Sequence, residues 1–117
     1  MTSVSRTPTP HSYSAAVAAG DFVFLGLHRA EGDDVDTQLT GTFAALQQTL
    51  GGYGLTLHDL VKVNVWLAHI EDLWVMEQAF VPHFPPSGFP ARMTATTQFV
   101  DDDCLVMIDG TAFRGRA

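Results

Sequence analysis

Residues 36–52 read DTQLTGTFAALQQTLGG, and this stretch carries the clearest structural signal in the chain. Its large apolar side chains recur every three or four positions, which places them on one side of a helix: Leu39, Phe43, Leu46 and Leu50. Asp36 is a suitable N-cap, and Gly51-Gly52 can end the helix in the left-handed conformation. The pattern predicts an amphipathic helix that covers another layer of structure.

The segments before and after this helix have the composition of strands. SYSAAVAAG and DFVFLGLHR meet at Gly20-Asp21, a turn signal, and predict two antiparallel strands near residues 12–18 and 22–29. After the helix, VKVNVWLA (61–68) alternates apolar and polar side chains, which indicates a strand with one face in the core. A second helix is predicted over about 71–84.

The last third of the chain predicts two more strands. ARMTATTQFV follows the rigid loop PPSGFP (85–90), and CLVMIDGTAFR follows the acidic turn Asp101–Asp103. The predicted order is β-β-α-β-α-β-β, a single α+β domain over residues 12–117 with a mixed sheet and two helices on one face. Residues 1–11 are predicted to be a flexible lead-in, because Pro8 and Pro10 interrupt regular structure. The other face of the sheet is open, and oligomerisation is the usual way to cover it.

Composition excludes several classes of function. The chain has 117 residues and a net charge of −7, with its few cations scattered, so a nucleic-acid partner and an acidic membrane surface are disfavoured. Its one cysteine, Cys104, allows no disulfide within the chain, and no apolar run approaches the length of a membrane span. The five histidines lack metal-site spacing. We therefore expect a soluble cytoplasmic protein without a metal or organic cofactor.

Arg92 is the most informative single residue. It is the only Lys or Arg between Val63 and Phe113, and it opens a strand directly after the proline-rich loop. A guanidinium held there can bind a carboxylate through two hydrogen bonds. The alternative is a surface arginine that pairs with one of the acids at 101–103.

Three sequence features occur in an order that resembles one known family. They are Phe89-Pro90-Ala91-Arg92 before the last two strands, Tyr13 ahead of a strand of small residues and Gly20, and the stretch 59–67 (DLVKVNVWL). Together they resemble the RidA/YjgF family of reactive intermediate imine deaminases over about residues 12–113. The resemblance implies a chorismate mutase-like fold and a homotrimer with ligand clefts between subunits. It also implies that Arg92 binds a substrate carboxylate and that Tyr13 borders the same cleft.

Two positions depart from the family pattern. The usual Ser-Gly-Gln stretch reads Gly26-Leu27-His28, and the two alternating glutamates of the last strand are replaced by Met107 and Asp109. Met107 cannot polarise water.

Strand alternation offers possible substitutes for the missing carboxylate. Asp109 is expected on the face of Met107, and His28 on the face of Gly26, so both are tentative catalytic residues. The alternatives are a structural histidine and a structural acid paired across the sheet or subunit interface. By the same alternation, Thr94 shares the face of Arg92 and could line the cleft.

The primary hypothesis is therefore an enzyme that hydrolyses or otherwise processes a carboxylate-bearing imine or enamine. One alternative is a specialised biosynthetic catalyst of a cyclisation or dehydration on the same scaffold. Another is a trimer that binds a carboxylate ligand without chemistry, which the loss of the usual carboxylate at Met107 favours. A ribonuclease activity is disfavoured by the net charge of −7.

Overall fold

A mixed six-stranded sheet with two helices on one face forms the body of the molecule, in a computed structural model that describes residues 3–115. The strands are β1 Val4–Pro8, β2 Ser14–Ala19, β3 Phe22–His28, β4 Leu60–Leu67, β5 Ala91–Thr96 and β6 Val106–Phe113. The helices are α1 Val35–Gly51 and α2 Leu73–Phe80, with single 3-10 turns at Leu57–Asp59, Ile70–Asp72 and Val81–His83. The predicted single α+β domain is confirmed, with one further strand at its start.

The order of strands across the sheet is β1-β2-β3-β6-β4-β5. Only β4 and β5 pair in parallel, and the other neighbours are antiparallel. The strand that Arg92 opens, β5, therefore lies at one edge of the sheet, and β1 lies at the other. No helix within residues 3–115 is long and apolar enough to cross a membrane.

The flexible lead-in predicted for residues 1–11 is wrong for Val4–Pro8, which forms β1. Met1 and Thr2 lie outside the described residues, as do the last two residues of the predicted 12–117 domain. An edge strand tolerates proline, because one side of it has no ladder to complete. Pro8 is the last residue of β1, where the register with β2 shifts. Thr7 and Tyr53 share a hydroxyl–hydroxyl hydrogen bond of 2.7 Å, which ties β1 to the segment after α1.

The core lies between the sheet and the helices. The apolar side of α1 is buried as predicted: Leu39, Phe43, Leu46 and Leu50. Alternate residues of the two central strands, β4 and β6, meet it from the sheet: Val63, Val65, Leu67, Val106, Ile108 and Ala112. The shorter helix α2 adds Met76 and Phe80, and the ring of Phe80 meets that of Phe43 edge-on at 5.2 Å. Polar and partly exposed residues of β4 and β6 face the other side, which we call the open face.

The ends of α1 differ from the sequence prediction in detail. Its N-cap is Asp34, whose carboxylate accepts a hydrogen bond of 2.8 Å from the backbone N–H of Thr37, so the helix begins before Asp36. Gly51 and Gly52 do not adopt the left-handed conformation, which occurs two residues later at Gly54 (φ 73). The helix therefore ends in right-handed turns, and the chain reverses at Gly54.

A bulge in β3 decides which side chains reach the open face. Leu25 pairs with Gly110 and His28 with Ile108, so three steps along β3 oppose two along β6. The extra residue breaks the alternation, and both Leu25 and His28 are buried towards the helices. Leu27 lies between them on the open face and is half exposed.

One buried polar side chain links α1 to the loop between β5 and β6. The amide nitrogen of Gln38 donates to the carbonyl oxygens of Gly32 (3.0 Å) and Asp103 (2.8 Å). Its amide oxygen accepts from the backbone N–H of Leu105 at 2.8 Å. Gln38 is fully buried, so these bonds are shielded from water and fix the acidic turn against the helix layer.

Candidate functional site

A cleft on the open face brings together several of the predicted site residues. One part, of about 480 Å³, is lined by Tyr13, Ser14, Gly26, Leu27, Arg29, Asp101 and Met107. A second part, of about 350 Å³, is lined by Leu27, Trp66, Met107 and the loop residues 97–100. Leu27 and Met107 border both parts, and we call the whole the open-face cleft. Tyr13, Gly26 and Met107 therefore line the same cleft.

An ion pair that the sequence analysis missed borders this cleft. Arg29 Nη1 donates to Asp101 Oδ2 at 3.1 Å and lies 3.5 Å from Asp103 Oδ1. Asp101 and Asp103 therefore pair with Arg29 and not with Arg92. Arg29 and Asp101 are 72 positions apart, and only the position of Arg29 directly after β3 could have suggested that it reaches the cleft. Asp101 is largely exposed and adds a carboxylate beside Tyr13 and Met107.

Tyr13 lies just before β2 with more than half of its surface exposed. Its ring stacks on His11 at a centroid distance of 5.9 Å, and its carbonyl oxygen accepts a hydrogen bond of 2.6 Å from the hydroxyl of Thr9. These contacts orient the segment on which Tyr13 sits. An exposed phenol at the border of a cleft can stack on or hydrogen-bond a ligand.

His28 does not face the open-face cleft, and the prediction that it shares a face with Gly26 is wrong. Its Nδ1 donates to the carbonyl oxygen of Gly26 at 2.7 Å, which leaves Nε2 to accept from the hydroxyl of Thr49 at 2.9 Å. Burial lowers the pKa of His28, and the hydrogen bond to Gly26 opposes this only in part. The ring is a neutral bridge between β3 and α1 with no free nitrogen.

Asp109 lies on the open face with Met107, as predicted, and both of its carboxylate oxygens are engaged. Oδ1 accepts from Asn64 Nδ2 at 2.8 Å, and Oδ2 accepts from the indole N–H of Trp66 at 2.7 Å. Both donors lie on the neighbouring strand β4, where Asn64 is opposite Asp109 in register. This is the structural acid paired across the sheet, and a carboxylate tied at both oxygens is poorly placed to take a proton from water.

Arg92 lies on the helix side of the sheet, opposite to the open-face cleft. It pairs in register with Val63, and Thr94 with Val65, both of which are buried under the helices. Its guanidinium donates to the carboxylate of Glu77 on α2 and lies over the ring of Phe80, 5.0 Å from the centroid. Thr94 shares its face, as predicted. Within one chain, Arg92 and Thr94 are therefore separated from Tyr13 by the sheet.

A shallow cavity of about 270 Å³ surrounds the guanidinium at this edge of the molecule. Its lining residues come from α2 and from the proline-rich loop: Glu77, Phe80, Val81, Phe89, Pro90 and Arg92. The aromatic rings of Phe80, Phe84 and Phe89 pack against one another and hold the loop in place. The guanidinium is thus fixed at the sheet edge. A carboxylate from solvent can bind it there by displacing the carboxylate of Glu77.

The comparisons with known proteins agree with the fold. The family model named endoribonuclease L-PSP matches residues 4–114, nearly the whole chain. The chain belongs to the RidA/YjgF family. The resemblance carried by Tyr13, the 59–67 stretch and Arg92 is confirmed at the level of the family.

Individual members of the RidA/YjgF family are similar over most of their length. A RutC family protein of Pyrococcus horikoshii is 26% identical over 110 residues, covering 87% of this chain and 86% of its own. A hypothetical protein of Streptococcus pyogenes, described as a member of the yjgF family, has 27% identity and a TM-score of 0.86, covering 97% of this chain and 98% of its own.

A RidA protein from an Antarctic Psychrobacter has the same fold at lower sequence identity. Its structure superposes with a TM-score of 0.82 at 22% identity, and the match covers 92% of this chain and 93% of that one. At this identity the likeness shows the fold alone.

Proposed function

We propose that this RidA/YjgF member is a small-molecule enzyme whose ligand site forms between two copies of the chain. One observation supports it above the others. Arg92 lies on the helix side at the edge strand β5, whereas Tyr13, Gly26 and Met107 line a cleft on the open face. A ligand that contacts both groups therefore needs Arg92 from one copy and the open-face cleft of another. The homotrimer implied by the family resemblance would provide such sites.

The proposed reaction is hydrolysis of a 2-imino acid to a 2-oxo acid. The oxygen of water adds to the imine carbon, and one proton of the water moves to the nitrogen. The second proton then moves to the nitrogen as the carbonyl forms, and the carbon–nitrogen bond breaks to release ammonia. Arg92 holds the ligand carboxylate through two hydrogen bonds, and Tyr13 borders the reacting carbon. No metal or organic cofactor takes part in this scheme.

The catalytic roles predicted for His28 and Asp109 pass to another residue in this proposal. Both nitrogens of His28 and both carboxylate oxygens of Asp109 are engaged in hydrogen bonds. Asp101 is the largely exposed carboxylate that lines the cleft beside Met107. We assign it the orientation of the attacking water, with the guanidinium of Arg29 holding the carboxylate in position.

A second candidate function is ligand binding without chemistry. The observation in its favour is that Met107, which cannot polarise water, lies in the cleft beside Tyr13 and Gly26. A specialised cyclisation or dehydration on the same scaffold is the third candidate. A binding protein retains 2-oxo acids but does not accelerate imine hydrolysis, so turnover separates it from the enzyme.

The first experiment measures ammonia release from freshly generated 2-iminopropionate by wild type, Arg92→Ala and Asp101→Asn. Loss of a charged hydrogen-bonding partner is expected to lower kcat/KM roughly 10- to 100-fold for Arg92→Ala. Asp101→Asn is expected to lower kcat with little change in KM. Arg6→Ala is the matched control, because Arg6 is an exposed arginine on the opposite edge strand β1. Full activity in Arg92→Ala would contradict the proposal.

The cellular location is part of the same proposal. The single cysteine, Cys104, is buried, and the net charge is −7. Both fit a cytoplasmic enzyme of small metabolites that has no nucleic-acid or membrane partner. Fractionation of cells that express a tagged chain would test the location, and recovery with the membrane fraction would contradict it.

A further inference from the structure

Three neighbouring strands place a row of large apolar side chains across the floor of the open-face cleft. Leu27 on β3, Met107 on β6 and Trp66 on β4 come from strands that are adjacent in the sheet. Trp66 and Met107 are paired in register. Leu27 reaches this row because the bulge in β3 turns it towards the open face. The row is thus a consequence of the sheet register, and it lies beside the proposed reacting position at Tyr13.

The loop after β5 closes one end of this row. Residues 97–100 line the cavity of about 350 Å³ together with Leu27, Trp66 and Met107. Phe99 is the half-buried aromatic residue of that loop. None of the residues within 3–115 that line this part of the cleft has an ionisable side chain. A ligand group that enters it meets apolar and aromatic surface, with Thr97 and Gln98 as the polar exceptions.

Asp109 holds the Trp66 side chain in the floor of this cavity. Its carboxylate accepts the indole N–H of Trp66 at 2.7 Å and is itself held by Asn64 at 2.8 Å. A tryptophan anchored by its only polar atom presents its ring in one orientation. Asp109 is therefore a positioning residue for Trp66 in the floor of the cavity.

From this arrangement we infer that the open-face cleft selects 2-imino and 2-oxo acids with an apolar side chain of about the size of leucine. The inference rests on the proposed function, because Arg92 holds the carboxylate while the side chain enters the cavity between Trp66, Met107 and Leu27. A ligand with a charged side chain would lose its hydration there without gaining a counter-ion. The carboxylate of Asp101 at the neighbouring border repels a second negative charge as well.

The test uses the tryptophans of the chain itself. There are two, Trp66 and Trp74, and Trp74 is 67% exposed on α2. In a Trp74→Phe variant, Trp66 is the only tryptophan, so its emission reports directly on the proposed cavity. This variant is titrated with pyruvate, 4-methyl-2-oxopentanoate and 2-oxoglutarate, and calorimetry of wild type gives the dissociation constants independently. Each buried methylene contributes about fourfold in affinity, so 4-methyl-2-oxopentanoate is expected to bind roughly 50-fold more tightly than pyruvate. 2-Oxoglutarate is expected to bind most weakly.

Two substitutions and one control locate the preference in the cleft. Met107→Glu and Leu27→Asn are expected to reduce the preference for the branched ligand at least tenfold, while far-ultraviolet circular dichroism stays that of the wild type. Leu73→Glu makes a similar change at an exposed position of α2 and is expected to leave the preference intact. Asp109→Asn is expected to shift Trp66 emission before any ligand is added, which a purely structural role elsewhere would not do.

The outcomes separate this inference from the proposed function. Equal affinity for the three ligands, tightest binding of 2-oxoglutarate, or no binding of any of them overturns the apolar preference. Hydrolysis of 2-iminopropionate could still occur in the first two cases, and the proposed function would stand. A preference for 4-methyl-2-oxopentanoate that Met107→Glu removes, without hydrolysis of its imine, would support the inference and overturn the hydrolase proposal.

Discussion

The two sides of the sheet differ in how their side chains are satisfied. On the helix side, the apolar core residues are buried, and the buried His28 has both ring nitrogens bonded. On the open face, large side chains such as Leu27 and Phe24 remain about half exposed. The helix side therefore contributes most of the stability of the single chain, whereas the open face has exposed surface that a ligand or another copy can cover.

The aromatic residues of the open face sharpen this contrast. Phe22 lies between Phe24 and Phe113, with ring centroids 6.4 and 5.5 Å apart, and all three rings are 40–49% exposed. Contiguous exposed aromatic surface of this kind marks an interaction site in most proteins. It supports the proposed homotrimer, in which a neighbouring copy would cover the sheet and bring Arg92 to the open-face cleft.

The largest expected loss of stability comes from a substitution on the helix side of the sheet. Phe43 packs against Phe80, Phe84 and the ring of His83, so Phe43→Ala is expected to lower the free energy of unfolding by about 3–5 kcal/mol. Phe24→Ala removes the same side chain from the open face and is expected to lower it by less than about 1 kcal/mol. Urea unfolding at a low, fixed protein concentration measures both. Equal losses would mean that the two sides contribute alike to the single chain.

A smaller effect is expected from the cluster of Asn64, Trp66 and Asp109 on the open face. Asp109→Ala leaves the amide of Asn64 and the indole of Trp66 without their acceptor, and a loss of about 1–3 kcal/mol in the free energy of unfolding is expected. Thr111→Ala, on the same face of β6, serves as control. If both variants unfold at the same urea concentration, the hydrogen bonds of Asp109 add no measurable stability to the fold.

Substitution of Glu77 tests how much its ion pair with Arg92 weakens ligand binding. A ligand carboxylate must displace the carboxylate of Glu77, which pairs with Arg92 in the single chain. Because partly exposed pairs contribute up to about 1 kcal/mol, Glu77→Gln is expected to tighten the binding of 4-methyl-2-oxopentanoate by up to about fivefold. Glu71→Gln controls for the change in net charge. Weaker binding in Glu77→Gln would indicate that Glu77 orients the guanidinium.

The smallest effect concerns pH. Burial lowers the pKa of His28 from its ordinary value of 6.5, so below about pH 6.5 the unfolded chain takes up a proton that the folded chain resists. The contribution of His28 is fully present above that pH and is lost as the pH falls. His28→Gln is therefore expected to flatten the decline of stability between pH 7 and 5, measured by urea unfolding.

Some pH dependence should survive in that variant. His83, stacked on Phe43, also has a pKa lowered by burial, opposed in part by Asp36. The exposed His58 provides the matched control, because His58→Gln makes the same substitution at a surface position. An unchanged slope in His28→Gln would mean that His28 takes up its proton equally in the folded and the unfolded chain.

The sequence predicted the elements whose pattern is regular. The spacing of Leu39, Phe43, Leu46 and Leu50 and the alternation of β4 both express burial against a single layer, so they can be recognised without the fold. β1 was missed because Pro8 marks the end of a strand at a sheet edge, where proline is tolerated. The shared face of Arg92 and Thr94 followed from alternation, but which side of the sheet they occupy depends on the pairing of β5 with β4.

The misplacement of His28 has one physical cause. Strand alternation assumes a regular ladder, and the extra residue between Leu25 and His28 reverses every face beyond it. The same bulge brings Leu27 to the open-face cleft, where alternation from Gly26 would have buried it. Arg29 was overlooked for a different reason, because its partner Asp101 is distant in sequence. A site built at an irregularity of the sheet cannot be read from periodicity alone.

Gln38 shows how this architecture would respond to random mutation. Its buried amide holds Gly32, Asp103 and Leu105 from within the helix layer, so it anchors the turn that carries Asp101 without facing the open-face cleft. Replacing it would release that turn while most of the core stayed packed. In a saturation screen for activity, Gln38 would therefore appear as sensitive as a ligand-binding residue. The map of intolerant positions would therefore include a buried residue that no substrate touches.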